Sequence, residues 1–181
     1  NAFRTDENGH PLFDSFNDED YEMSDYADPR LFLTVGMPGL PYEFNAKYMM
    51  DRSSVWSRSN GTYGYYVTLK HNVDPDSGYL IKGSGTPMNH IVIRYADVLL
   101  MRAEALIQLD DGRTDEAVGL INRLRTRAKA SVGSISNYEA DYGVHLNVRP
   151  YDGTYGKDEA LRMLKFERRL ELAMESDRFF D

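Results

Sequence analysis

The sequence predicts a mostly α-helical fold that carries a loop-rich region with short strands. From residue 91 onward, apolar residues recur at the three- and four-residue spacing of amphipathic helices. Up to about residue 90, Tyr, Gly, Asn, Asp and Pro are frequent and periodic apolar runs are few, which is typical of turns and loops. We therefore divide the chain into a loop-rich region, 1–90, and a helical region, 91–181, within one domain.

Composition and charge exclude several functional classes. The chain carries 21 Lys and Arg against 29 Asp and Glu, a net charge of −8, whereas a nucleic-acid partner would require clustered positive charge. It contains no cysteine, so a disulfide framework, a zinc–thiolate site and a thiol nucleophile are impossible within it. It also contains no run of about 18 apolar residues, so we expect no transmembrane helix.

The loop-rich region begins with an acidic run and contains two predicted extended segments. Residues 14–28 hold seven Asp and Glu and no Lys or Arg, which is typical of a solvated loop. A calcium site that uses Asp18 and Asp20 is the alternative, although the run lacks the order of an EF-hand. Residues 28–35 are predicted to form a short strand and 61–69 a strand or extended loop, because both are rich in β-branched and aromatic residues.

Two helices joined by a short turn open the helical region. The apolar stripe of the first helix consists of Tyr95, Leu99, Ala103 and Leu106. Residues 110–112 end this helix, and a second stripe follows over 117–128, with Thr114 as the predicted N-cap. Alanines on both helices allow close packing, so residues 91–129 are predicted to form an antiparallel hairpin similar to a tetratricopeptide repeat.

A third helix is predicted over residues 157–176, after a long loop at 130–156. Arg168 lies inside its apolar stripe and must be paired there, because an isolated buried charge is very unfavourable. Glu104 and Glu171 are the candidate partners, and Glu171 follows Arg168 at i+3 on the same helix. We interpret these three residues as structural; an anion-binding site at Arg168 is the alternative.

Four segments resemble, in order, motifs of the SusD/RagB family. Residues 28–35 (DPRLFLTV) resemble its DPRLxxTV segment, and 94–106 (RYADVLLMRAEAL) and 121–128 (INRLRTRA) resemble two successive helical motifs. Residues 167–181 resemble the ERRxELxxEGxRxxDLxRWG helix, with Ser176 where the family usually has Gly and without the final LxRWG. Four matches in the expected order identify the chain as a member of this family.

The resemblance implies a tetratricopeptide-like scaffold whose loop region supplies much of the ligand surface. It implies a surface-exposed lipoprotein of the bacterial outer membrane that captures a glycan or another nutrient oligomer without cleaving it. The ligand would pass to a SusC-like TonB-dependent transporter. We expect no catalytic residue and no cofactor. The chain is expected to be the C-terminal part of a longer protein, with the lipid anchor outside it.

An aromatic cluster in the loop-rich region supplies the predicted ligand-binding residues. It contains the single tryptophan of the chain, among tyrosines and hydrogen-bonding side chains. Aromatic rings match the apolar faces of sugars, whereas Arg and Asn match their hydroxyl groups. Coverage of a sheet edge by these rings is the alternative interpretation. The predicted binding residues are Trp56, Arg58, Asn60, Tyr63 and Tyr65.

Two other functions fit the sequence less well. A tetratricopeptide adaptor that binds peptides would require tandem repeats, and the sequence contains one recognisable hairpin. A secreted glycosidase would require two carboxyl groups at a fixed separation across a cleft, which spacing along the sequence does not reveal.

Overall fold

A computed structural model describes residues 1–42, 45–53, 59–73, 76, 78–79, 89 and 91–175. The protein is mostly helical, which confirms the predicted fold class. The described helices are α1 Arg30–Thr34, α2 Asn60–Tyr63, α3 Tyr95–Leu109, α4 Thr114–Ala130, α5 Tyr138–Tyr142 and α6 Lys157–Glu171, with a 3-10 helix at Ser131–Ile135. Within this part of the chain, no helix is both long enough and apolar enough to cross a membrane.

The strands in the described residues form three two-stranded sheets. The pairs are β1 Tyr26–Ala27 parallel to β6 His145–Leu146, β2 Val35–Gly36 antiparallel to β5 Val67–Thr68, and β3 Pro41–Tyr42 antiparallel to β4 Asn45–Met49. Strands this short form no extended sheet, so the helices provide the main hydrophobic core.

The chain divides into two compact units. The first comprises Asn1–Leu31 and Ile93–Asp181, and the second comprises Phe32–Val92. The N-terminal segment joins the first unit because it forms hydrogen bonds with the region before α6. Thr5 Oγ1 donates to the carbonyl oxygen of Asn147 at 3.2 Å, and β1 pairs with β6. Residues 1–31 thus pack with the helices, although their composition is that of loops.

The core of the first unit lies between α3, α4 and α6. Ala103 on α3, Ala117 and Ile121 on α4, and Ala160 on α6 are completely buried. Their alanines allow the helix axes to approach closely, and larger side chains such as Leu164 fill the remaining space. Helices α3 and α4 pack against each other, and α6 packs against both of them.

The segment predicted as a strand at 28–35 is helical over most of its length. Arg30–Thr34 forms α1, and only Val35–Gly36 is extended. The strand prediction was wrong because Asp28 starts a turn: its carboxylate accepts the backbone N–H of Arg30 at 3.0 Å, and its carbonyl oxygen accepts that of Leu31 at 2.9 Å. A short polar side chain followed by proline is a common start of a helix.

The ends of two other helices also differ from the prediction. Helix α4 begins at Thr114 itself, with Arg113 at the N-cap and no capping hydrogen bond from a side chain. Helix α6 ends at Glu171, five residues before the predicted end. Met174, just beyond that end, has a positive φ of 63°, which a continuing α-helix does not adopt. The guanidinium of Arg94 donates to the carbonyl oxygen of Glu171 at 2.6 Å and satisfies a free C-terminal acceptor.

Candidate functional site

Three of the five predicted ligand-binding residues lie in the described part of the second unit. Asn60 and Tyr63 are the first and last residues of α2, and Tyr65 follows two residues later. Trp56 and Arg58 lie outside the described residues. The structure therefore places Asn60, Tyr63 and Tyr65 on one short helical turn and the loop that follows it.

These residues differ in how far they face solvent. Tyr63 is 72% exposed and Tyr66 is 64% exposed, so neither ring covers much of the protein's own surface. Tyr65 is half-buried, and the guanidinium of Arg52 lies 5.1 Å from its ring centre in a cation–π contact. The exposed rings are thus available to a ligand, whereas Tyr65 is already held by the protein.

Arg52 organises this turn from a position that no sequence pattern indicates. Its backbone carbonyl oxygen accepts a hydrogen bond from Asn60 Nδ2 at 2.8 Å, and its side chain contacts Tyr65. The Oδ1 atom of Asn60 is buried and has no hydrogen-bond partner among the described residues.

The first unit contains a buried network of ion pairs centred on Arg30. The guanidinium of Arg30 donates to Asp28 at 2.7 Å, to Glu167 at 2.6 Å and to Glu171 at 3.0 Å. All four side chains are almost completely buried. Burial would lower the pKa of Arg30, but the charges of Asp28 and Glu167 and the hydrogen bonds to them hold it well above its usual value.

Glu171 extends this network to two further arginines. One of its oxygens accepts hydrogen bonds from Arg94, at 2.5 Å, and from Arg127, and Arg94 also binds Glu175. Burial would raise the pKa of Glu171, but the charges of Arg30 and Arg127 and the hydrogen bond from Arg94 lower it to about 2. Glu171 is therefore ionised throughout the physiological range.

Another buried arginine, Arg125, joins α4 to the N-terminal segment. It is completely buried and pairs with Glu167 at 3.3 Å. It donates to the carbonyl oxygens of Arg149, at 2.6 Å, and Gly9, at 2.7 Å. Its guanidinium also lies 4.3 Å from the ring centre of Tyr151. These contacts fix three separate segments of the first unit around one buried charge.

The four segments that carry the family resemblance meet in this network. They contribute Asp28 and Arg30, Arg94, Arg125 and Arg127, and Glu167, Glu171 and Glu175. Spacing along the sequence could not reveal that these residues converge. Because each charge is already balanced inside the protein, the arrangement is suited to holding the fold rather than to proton transfer or ligand binding.

Arg168 lies beside this network, on another face of α6. Its guanidinium is 3.4 Å from Oδ1 of Asp97 on α3, and both side chains are largely buried. Asp97 was not among the predicted partners: Glu104 is exposed to solvent, and Glu171 binds Arg30, Arg94 and Arg127. The structure thus links α6 to α3 through Arg168 and Asp97.

Replacement of Arg168 by alanine is expected to lower stability without changing ligand affinity. The substitution leaves the buried carboxylate of Asp97 with one fewer partner, which costs about 2 kcal/mol. Urea unfolding measures the loss, and titration with the ligand measures affinity. An Arg168→Ala variant that keeps its melting temperature but loses the ligand would contradict the structural role.

The acidic run around Asp18 and Asp20 is solvent-exposed. Asn1 Nδ2 donates to Asp20 Oδ1 at 3.4 Å. Among the residues that the structure describes, no group of three or more His, Asp or Glu side chains is arranged to hold a metal ion. The calcium site considered from the sequence therefore gains no support from this part of the chain.

Comparison with known proteins gives one consistent result. The model of the SusD family matches residues 1–181. SusD-like protein P38 of Formosa agariphila is 38% identical over 144 residues, which are 77% of this chain and 24% of that protein. SusD-like protein P2 of the same organism is 36% identical over 99 residues, 55% of this chain and 17% of that protein. The matched part thus spans a quarter or less of these relatives' length.

Proposed function

This chain belongs to the SusD family, and on that premise we propose that it is part of a non-catalytic protein that captures nutrient oligomers, glycans in particular, at the bacterial outer membrane. The observation that carries the proposal is the family match over the whole chain. The protein would hold an oligosaccharide and release it intact, so the chemistry required is recognition by rings and hydrogen-bonding groups rather than bond cleavage.

The proposed partner is a SusC-like TonB-dependent transporter, which would receive the captured oligomer. We place the protein on the cell surface, attached by a lipid anchor. Both parts of the proposal rest on family membership. Co-purification of the full-length protein with its transporter from outer membranes is the direct test, and its absence under mild detergent would contradict the partnership.

The proposed ligand surface is the aromatic turn of the second unit. It comprises Trp56, Arg58, Asn60, Tyr63 and Tyr65 as predicted from the sequence. The support comes from the ring of Tyr63, which is 72% exposed. An exposed aromatic ring beside hydrogen-bonding groups matches the alternation of apolar faces and hydroxyl groups on a sugar.

Replacement of Trp56 by alanine is expected to weaken glycan binding by about 2 kcal/mol, or roughly thirtyfold, if its ring is the central stacking contact. Tyr63→Ala should have a smaller effect, about fivefold, because a smaller ring contributes less. Titration calorimetry with a glycan selected on an array gives both affinities.

The matched control is Tyr95→Ala, which removes a tyrosine of similar exposure, 64%, from α3 in the first unit. We expect this variant to bind like the unmodified protein. Unchanged affinity with Trp56→Ala and Tyr63→Ala would place the ligand surface elsewhere. A large drop in melting temperature with Trp56→Ala would instead make Trp56 a core residue.

A further inference from the structure

The first unit contains an open groove on the outer side of α6. It has a volume of about 460 Å³. Its apolar lining includes three phenylalanines packed edge to face: Phe13 and Phe16 each approach Phe166, with ring centres 5.2 and 5.5 Å apart. A pocket of this size accommodates a small ligand of a few sugar rings. None of its residues belongs to the ligand surface of the second unit.

Three cations line the same groove. They are Arg162, Lys165 and Arg169, and they face one lining carboxylate, Asp158. Arg162 also pairs with Asp14. The groove is therefore locally positive on a chain whose net charge is −8. A local excess of this sign favours an anionic ligand and selects against neutral competitors.

Arg169 differs from the other buried and half-buried arginines of the first unit. The others bind carboxylates; they are Arg4, Arg30, Arg94, Arg125 and Arg168. Among the described residues, no carboxylate lies within ion-pair distance of Arg169. Because a partly desolvated guanidinium normally has an anionic partner, this position is open to an anion supplied by a ligand.

The rings hold the Arg169 guanidinium in place. Its central carbon lies 5.0 Å from the ring centre of Phe16 and 5.5 Å from that of Phe166. Arg162 lies over Phe13 in the same way, at 4.9 Å. A guanidinium whose face lies on an aromatic ring still has N–H groups along its edge that are free to donate hydrogen bonds. Two such donors match the paired oxygens of a carboxylate or a sulfate.

We propose that this groove is a second binding site, for an acidic sugar whose carboxylate or sulfate group binds Arg169 and Lys165. The apolar face of the sugar packs on the phenylalanine lining. The groove thus places cationic groups for the anion next to an apolar surface for the sugar ring. The inference rests on the proposed function, since it names the class of glycan that this part of the protein recognises. The aromatic turn of the second unit carries no part of it.

The test uses two probes of the same size, trigalacturonate and its neutral trimethyl ester, in titration calorimetry. We expect the charged trimer to bind at least tenfold more tightly than the ester, because charge-assisted hydrogen bonds are lost in the ester. Arg169→Gln should weaken binding of the charged trimer about tenfold and leave binding of the ester unchanged. Raising the salt concentration should weaken only the charged trimer.

Two further variants provide a control and a second test of the groove. Arg123→Gln is the matched control, because Arg123 also lies over an aromatic ring, Tyr95 at 5.6 Å, but outside the groove; it should bind the charged trimer normally. Lys165→Gln alters an exposed side chain, so it tests the site even if Arg169→Gln folds poorly. Equal affinities for the two probes, or equal losses in Arg123→Gln and Arg169→Gln, would overturn the proposal.

The remaining outcomes separate this inference from the proposed function. If neutral glycans bind and depend on Trp56 while the charged trimer shows no dependence on Arg169, the groove proposal fails and the proposed function stands. If no saccharide of either kind binds, both fail. Binding of hexaglutamate as tight as that of trigalacturonate, with the same dependence on Arg169, would show that the groove recognises charge alone and would overturn the assignment to sugars.

Discussion

Replacing Arg30 with methionine is expected to lower the free energy of unfolding by about 3–5 kcal/mol. The substitution keeps much of the volume but removes the one charge that Asp28, Glu167 and Glu171 share. Three carboxylates would then remain buried close together with less compensation, and mutual repulsion adds to their desolvation. Urea unfolding at neutral pH measures the change.

The control is Arg102→Met, which breaks an ion pair between Arg102 and Glu116 on the surface. Both side chains are accessible to solvent, so the loss should be below about 1 kcal/mol. If Arg30→Met lowers the free energy of unfolding by no more than this control, the buried network does not stabilise the first unit.

We expect a second large effect from Glu171, on how the free energy of unfolding depends on pH. Its pKa is about 2 in the folded protein against an ordinary value of 4.5, so the folded state favours the ionised form. A lowered carboxyl pKa contributes stability that is fully present above pH 4.5 and is lost as the pH falls towards 2. The contribution at neutral pH is about 3 kcal/mol.

Glu171→Gln should therefore be less stable than the unmodified protein at pH 7, by about 3 kcal/mol. The difference in the free energy of unfolding should shrink as the pH falls from 4.5 towards 2. Over this range the unmodified protein loses the contribution of the Glu171 charge, whereas the glutamine of the variant cannot titrate. Urea unfolding at a series of pH values shows both features. The control, Glu104→Gln, changes an exposed glutamate of α3 and should follow the unmodified protein. Parallel curves for Glu171→Gln and the unmodified protein would contradict the role of its charge.

Helical periodicity was sufficient to predict the central helices of the first unit. The stripes of α3 and α4 appear in the sequence because one face of each helix is buried against a neighbour. The start of α1 could not be predicted in this way. Arg30 in that helix is held by Glu167 and Glu171, which are 137 and 141 residues further along the chain.

The partners of the buried charges were also beyond sequence reasoning. A burial pattern shows that Arg168 needs a carboxylate, but it does not show which one. Asp97 lies 71 residues away and on another helix, whereas the predictions considered the same helix and the other acidic residue of the α3 motif. The motif residues were found by resemblance; that they converge in one network follows only from the packing of α1, α3, α4 and α6.

The sequence was sufficient to predict which residue types form the candidate site, but not which of their side chains face solvent. A cluster of rings among polar residues indicated a ligand surface, yet the sequence does not distinguish Tyr63, which faces solvent, from Tyr65, which is held by Arg52. The groove on α6 was missed because its phenylalanines come from two segments far apart in the chain. Its cations lie on a helix face that sequence periodicity assigns to solvent.

Capture without cleavage requires that the full-length protein releases bound oligosaccharides at the length at which it took them up. The full-length protein, immobilised and loaded with a mixture of oligosaccharides of known length, is washed and eluted, and the eluted sugars are analysed by mass spectrometry. We expect a retained subset whose masses equal those of the loaded oligomers, with no new reducing ends. Shortened oligomers in the eluate would identify a glycosidase and contradict the claim, as would the retention of no oligosaccharide at all.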